Sequence, residues 1–272
     1  MMKEIVLKDF FEATKEQAVN EVLESEMLSE LISNTAGMVI SEGAAELIGN
    51  ILGAVVPGVN SIRLNYKQLR FEKKVIKALS HMITHIEHLE ANLCSLTEEM
   101  HEKFRGLYVE WLLDNLNDER QEQKVHYHVN GFINMMNNDA NDNLMIMFFD
   151  TINQLTQLDI DVLKLYSLDS HEKIYKLCER YNLKAEQVEV IKEKLTRLGL
   201  LRSKNDVQRD GNIDAIAEYL IKVDKEAKKT KPQKINLPNI KKCSRSESYS
   251  ITALGRDFLK IISSGTVEET AV

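Results

Sequence analysis

Between Ile62 and Leu96 the chain repeats apolar residues at helical spacing, with no proline or glycine to interrupt them. Ile62, Leu69, Ile76 and Ile83 stand seven residues apart, and Leu79, Ile86 and Leu93 form a second row. Spacing of this kind puts each row on one face of an α-helix, so the segment predicts one long helix with a broad apolar stripe. Asn65 and Glu72 fall in the second row, which argues against a regular coiled coil. A helix of this length cannot bury its stripe alone, and it commits its neighbours to helix-on-helix packing. Helical periodicity recurs over Phe104–Asn117, Glu119–Met136 and Asn143–Leu155, and Leu7–Ile32 reads as one or two amphipathic helices. Only 3 prolines punctuate 272 residues, whereas a β-sandwich would need turn signals about every ten residues. The expected class is mainly α.

The charges of the long helix run against its dipole. Arg63, Lys67, Arg70, Lys73, Lys74 and Lys77 come first, and Glu87, Glu90, Glu98, Glu99 and Glu102 follow. Dipole complementarity favours the reverse order. An antiparallel partner, either another helix of the chain or a second copy, would resolve the conflict.

Ahead of that helix lies a glycine-punctuated apolar stretch, and five of the 11 glycines fall between Gly37 and Gly58. Glu42 and Glu46 share one helical face, with Val39, Ile40, Leu47, Ile51 and Leu52 over the rest. Glycine inside a helix costs about 1 kcal/mol and needs a packing reason. Gly43, Gly49 and Gly53 are therefore expected to admit a close neighbour, with Pro57 and Gly58 forming a turn that could move if the protein switches state. A segment that inserts into a membrane once exposed is the alternative reading. The longest charge-free run, Leu47 to Ile62, has 16 residues, short of the roughly 20 apolar residues of a span, so no integral membrane span is expected. Acidic residues near the start, Glu4 and Asp9, leave no apolar core for a secretion signal.

The formal net charge of −7 conceals a division. Residues 1–159 carry a net −12 and residues 160–262 a net +7. Two modules with different partners, or with each other as partners, would produce this asymmetry. Cys94, Cys178 and Cys243 are odd in number and far apart, which fits neither a disulfide framework nor a zinc ribbon, and suits a reducing cytoplasm.

The second module reads as winged-helix-like. Leu158–Leu168, His171–Tyr181 and Ala185–Leu198 supply three helices, Gly199-Leu200-Leu201 opens a strand, Tyr249–Thr252 returns as its partner, and Leu254–Ile262 closes the unit. Between the strands lies a long insertion carrying Lys228, Lys229, Lys231, Lys234, Lys241, Lys242 and Arg245. Its lysines predict a solvated loop, or a surface for nonspecific nucleic acid, an anionic membrane or the acidic half of the chain. The third helix mixes Glu186, Glu189 and Glu193 with Lys184, Lys192 and Lys194, a poor match to duplex phosphates. The expected organisation is 1–34 amphipathic helices, 35–156 a helical domain, 157–262 the winged-helix-like module and 263–272 a tail.

Ile51-Leu52-Gly53, Pro57–Ile62, Arg70-Phe71-Glu72-Lys73, Phe149–Asp159 and the turn Ser250–Arg256 together resemble the abortive infection alpha (Abi-alpha) family of bacterial and prophage proteins. The resemblance covers about residues 35–260. It implies a helical protein that arrests or kills infected cells before phage release, and it brings no catalytic residues.

Chemistry has two further candidates. His81, His85 and His88 share one helical face, but a zinc site normally has a fourth ligand, and a polar solvent-facing strip is the simpler expectation. Arg120 and His126 have the spacing of HEPN-type helical ribonucleases, where arginine would stabilise phosphate charge and histidine would move the proton. No P-loop, Gly-x-Ser-x-Gly or dinucleotide-binding glycine pattern is present. The sequence thus points to a non-enzymatic phage-defence or prophage-associated protein. It is expected in the cytoplasm or peripheral to the membrane, without metal or cofactor, acting through a protein partner, self-association or a membrane surface. A helical ribonuclease and a winged-helix DNA-binding regulator are the alternatives.

Overall fold

The computed structural model describes residues 4–6, 26–35, 37–53, 62–137, 139–167, 173–231, 233–244 and 246–263. The chain is mainly helical. It forms two compact units: one runs to Gln157 and takes in the chain from Leu259 on, and the other is Leu158–Phe258.

The first unit contains β1 (Glu4–Val6), α1 (Glu26–Asn34), β2 (Val39–Ser41), α2 (Glu42–Gly53), α3 (Ile62–Thr84), α4 (Ile86–Ser95), α5 (Glu98–Arg105), α6 (Leu107–Asp118), α7 (Val125–Asn134) and α8 (Asp142–Gln154). Helix α3 is the hub, packing against α1, α2, α6 and α7. Among the described side chains, the rows read from the sequence are its buried side: Ile76, Leu79 and Ile83, continued by Ile86 and Leu93 of α4, are all core residues. Phe104, Tyr108 and Phe132 close the centre, with ring centroids 4.8 Å (Phe104–Tyr108) and 5.7 Å (Phe104–Phe132) apart in edge-to-face contact. Met135, Met136, Met145, Phe148 and Phe149 join this core, while Met147 is exposed.

The structure corrects three sequence expectations here. Val39 and Ile40 form a strand, not part of the glycine-rich helix, pairing antiparallel with β1 in the register Ile5↔Ile40 and Val6↔Val39. Their β-branched side chains suit a strand once a partner is available. The long helix is two helices, because the backbone breaks at His85 (φ −112, ψ 30). Thr84 Oγ1 bonds back to Ser80 O at 2.8 Å, and His85 N–H is shared between His81 O and Met82 O; such competition opens the ladder. A similar break at Gly106 divides α5 from α6.

Among the glycines whose surroundings are described, Gly43 is open and Gly131 is tight. A Cβ on Gly43 would meet only Arg105 and His101 side-chain atoms, at 3.8 and 3.9 Å, which is ordinary contact. Pro57 and Gly58 lie outside the described residues, whereas Gly49 and Gly53 are in α2. At Gly131 in α7, by contrast, a Cβ would overlap the buried ring of Phe148. Gly131→Ala is therefore expected to destabilise the first unit by about 1–3 kcal/mol, read as a lower urea midpoint at unchanged slope.

The second unit contains α9 (Gln157–Lys164), which begins at the boundary, α10 (Ile174–Tyr181), α11 (Ala185–Arg197), β3 (Leu201–Ser203), α12 (Lys204–Ala227), β4 (Tyr249–Ile251) and most of α13 (Ala253–Ile262). Asn182 ends α10 in the left-handed conformation (φ 50), and Leu183 N–H bonds to Cys178 O at 2.8 Å. Strands β3 and β4 pair antiparallel in the register Leu201↔Ile251 and Ser203↔Tyr249. The unit's buried apolar residues are Ile160, Val162 and Leu163 of α9 with Leu177, Val188, Leu195, Leu200, Leu201 and Phe258. Between the strands, the segment expected as a basic loop starts with a helix of 24 residues. Among the described residues no helix is long and apolar enough to cross a membrane.

Candidate functional site

Of the residues singled out in the sequence, His81, His88 and His126 lie on α3, α4 and α7, and His85 stands at the break between α3 and α4. Arg120 is exposed in the link after α6, and its carbonyl accepts a hydrogen bond from Arg70 Nη2 at 3.4 Å. His126, in the first turn of α7, lies on the Tyr127 ring at 3.8 Å between centroids and 6.0 Å from His81. His81 Nε2 is 2.6 Å from Asn130 Oδ1, and Asn130 Nδ2 donates to Ile262 O at 2.9 Å. The same relay repeats nearby: His88 Nε2 is 3.0 Å from Asn134 Oδ1, and Asn134 Nδ2 donates to Ile261 O at 2.7 Å. Each asparagine aims its amide at the C-terminal carbonyls of α13, so its oxygen faces a ring N–H. The expected solvent-facing strip is thus a half-buried joint between helices, with two imidazoles hydrogen-bonded to amides. Burial, then the neighbouring His81 and His88, pushes the His85 imidazole below its ordinary pKa. No group of three or more His, Cys, Asp or Glu among the described residues is disposed to hold a metal ion.

Beneath this joint lies a buried charge cluster. Glu119 Oε2 is 2.5 Å from Lys124 Nζ and 3.1 Å from His128 Nε2, and Oε1 accepts from Gln121 N at 2.8 Å. Burial alone would raise the carboxyl, but hydrogen bonds from His128, Lys124 and the Gln121 N–H outweigh it and hold the group at about 2. Burial conversely pushes His128 down despite Glu119. Lys74 donates to Leu116 O (2.5 Å), Asn117 O (2.8 Å) and Glu119 O (2.7 Å), capping the C-terminus of α6. Within the basic half of α3, Lys74 thus meets the negative end of another helix dipole, which offsets its unfavourable place along its own helix. With His128 fully buried and Glu119 and Lys124 under 10% exposed, the cluster is sealed from any substrate and works in the fold.

The accessible chemistry lies on α12 and the segment that returns beside it. Ser203 starts the helix, its Oγ accepting from Asp206 N at 3.0 Å. Of its 24 residues only Asn205 is buried. Ile213 (63% exposed), Ile216 (42%), Leu220 (59%) and Val223 (37%) form an open apolar row. The return segment is pinned to another side of the helix. Gln233 N bonds to Glu226 Oε2, Lys241 N and O bond to the Asn212 amide, and Ser244 N bonds to Asn205 Oδ1. The half-buried residues of α12 include Gln208, Asn212, Ala215, Tyr219 and Glu226, which share that covered face. Lys228, Lys229, Lys231, Lys234, Lys241 and Lys242 are exposed around it, and Arg245 lies outside the described residues. Behind the start of α12, Glu189, Glu193, Asp206 and Glu247 line a cleft of about 510 Å³ with Arg197 and Arg209. Sequence reasoning missed this helix, although Ser203-x-x-Asp206 is a start signal and 213, 216, 220 and 223 keep helical spacing.

Comparison of the chain with protein-family models, with curated proteins and with solved structures gave no match in any of the three.

Proposed function

We propose that this chain is a non-enzymatic effector of the abortive-infection kind that acts by protein contact through α12. The observation that carries the reading is the open row Ile213, Ile216, Leu220 and Val223 on a helix with a single buried residue. A helix that lengthy buries little apolar surface against its own unit, and exposed apolar rows of this kind are what helical recognition uses. The order of three helices, a strand, an insertion, a second strand and a closing helix supports a winged-helix-like reading of the second unit. The acidic cleft against α11 supports protein rather than duplex DNA as its target, since Glu189, Glu193, Asp206 and Glu247 repel phosphate. The resemblance to the Abi-alpha family supplies the biological setting, growth arrest on phage infection.

Inducible expression in bacteria, with and without phage, tests this reading. The double variant Ile216→Lys/Leu220→Lys is expected to lose arrest by about 100-fold in surviving cells with its circular dichroism unchanged, because both side chains are exposed. Arg120→Ala and His126→Ala are expected to retain arrest, with total RNA intact. Full arrest by the lysine variant would overturn the proposal, and loss of arrest in both alanine variants would favour the ribonuclease.

A further inference from the structure

We infer that α12 pairs antiparallel with the α12 of a second copy of this chain. The inference rests on the reading of α12 as a contact surface and names its occupant.

Three observations point to a second copy. Ile213, Ile216, Leu220 and Val223 are spaced 3, 4 and 3 residues apart, the a/d pattern of a helix pair. This spacing reads the same in both directions, so a two-fold axis near the middle of the row sets Ile213 against Val223 of the second copy and Ile216 against Leu220. Four apolar layers result, over about 15 Å of helix.

Charge selects the direction. Residues 204–218 hold Asp206, Asp210, Asp214 and Glu218 against Lys204 and Arg209, a net −2. Residues 219–231 hold Lys222, Lys225, Lys228, Lys229 and Lys231 against Asp224 and Glu226, a net +3. Antiparallel pairing lays the acidic half of each helix along the basic half of the other, whereas parallel pairing lays like on like. The ion pairs Lys222–Glu218 and Lys228–Asp224 within one helix are well exposed; pairs of that kind are worth at most about 1 kcal/mol and do not oppose rearrangement.

The third observation concerns what already covers the helix. Its return segment occupies the face of Asn212 and Glu226 and leaves the apolar row open. Leu237 (79% exposed) and Ile240 (46%), on that segment, add apolar surface to the second unit. Four apolar residues a side are far fewer than the roughly 20–30 residues a side of stable complexes, which fits a dissociation constant in the micromolar range.

Sedimentation of the full chain from about 1 to 200 µM, a range set by that affinity, provides the first test. Wild type is expected to pass from monomer to dimer, and Ile216→Lys/Leu220→Lys to shift the midpoint by about 100-fold. Direction is read by cross-linking in a background with Cys94, Cys178 and Cys243 changed to serine. Ile213→Cys and Val223→Cys should each fail to form a disulfide dimer alone and form one when mixed. Self-cross-linking of each variant alone would overturn the antiparallel arrangement. A wild-type monomer throughout, or a dimer indifferent to the lysine substitutions, would overturn self-pairing. In that event the arrest assay separates the two ideas: loss of arrest in the lysine variant keeps the contact surface with another occupant, and retained arrest removes both.

Discussion

Glu119→Ala is expected to destabilise the first unit by about 3–5 kcal/mol, because it leaves a buried ammonium without its counter-charge. Lys124 is 2% exposed and loses its ion-pair partner, and His128 loses the acceptor of its Nε2 proton. Denaturant unfolding with a probe in this unit checks it; the fluorescence of Trp111, in α6, is suitable. The double variant Glu119→Leu/Lys124→Met should recover part of the loss, since it removes both charges together. A Glu119→Ala protein as stable as wild type would show that the cluster carries no net load.

The same carboxyl gives the unit an acid limit. Its folded pKa of about 2 lies below the ordinary 4.5, so its contribution is complete above pH 4.5 and is lost as the pH falls towards 2. A difference of that size corresponds to about 3 kcal/mol. His128 acts in the same direction at higher pH. Its folded pKa is depressed below 6.5 by burial, so the unfolded chain takes the proton first and stability declines as the pH drops through that value. Glu119→Gln should flatten the lower limb of the profile; an unchanged limb would assign acid unfolding to other groups.

Gly255→Ala is expected to cost the second unit about 3 kcal/mol or more, from one added methyl group. A Cβ there would overlap the carbonyl oxygen of Leu200 and come within 2.9 Å of Ile251 Cγ1. That carbonyl also accepts from Thr252 N at 3.1 Å, and Thr252 Oγ1 caps the helix by accepting from Gly255 N at 2.9 Å. Helix α13 can retreat only by giving up these bonds to the strand end. Gly211→Ala is the control, because nothing lies within 4 Å of its Cβ position in α12. There the usual helical preference should prevail, with a gain of about 0.5–1 kcal/mol. Equal effects at the two sites, measured by thermal unfolding, would refute the packing argument.

The helical periodicity of the sequence predicted most of the helices, because apolar spacing is local and survives any tertiary arrangement. Ala185–Leu198 and Leu254–Ile262 were legible within a residue or two for this reason. The strand at Val39–Ser41 was not, since three residues choose a strand only when Glu4–Val6 lies beside them. Helix α12 was obscured by its lysines and by Gly211-Asn212, which break the apolar pattern early. The exposed lysines of the insertion were visible in composition alone, but not the open apolar row beside them, which exists only because the return segment covers a different face.

By itself the sequence determined the mainly α class, the positions of most helices apart from α12, and the division between an acidic front and a basic back. These depend on residue spacing and on charge, which are properties of the chain. Only the tertiary structure decided that Lys74 caps α6, that His81 and His88 serve a helix joint, that Gly131 and Gly255 are the tight points, and that α12 keeps an apolar face open. Each of those facts depends on which atoms of a distant segment come within a few ångströms, and no local pattern in the sequence encodes that distance.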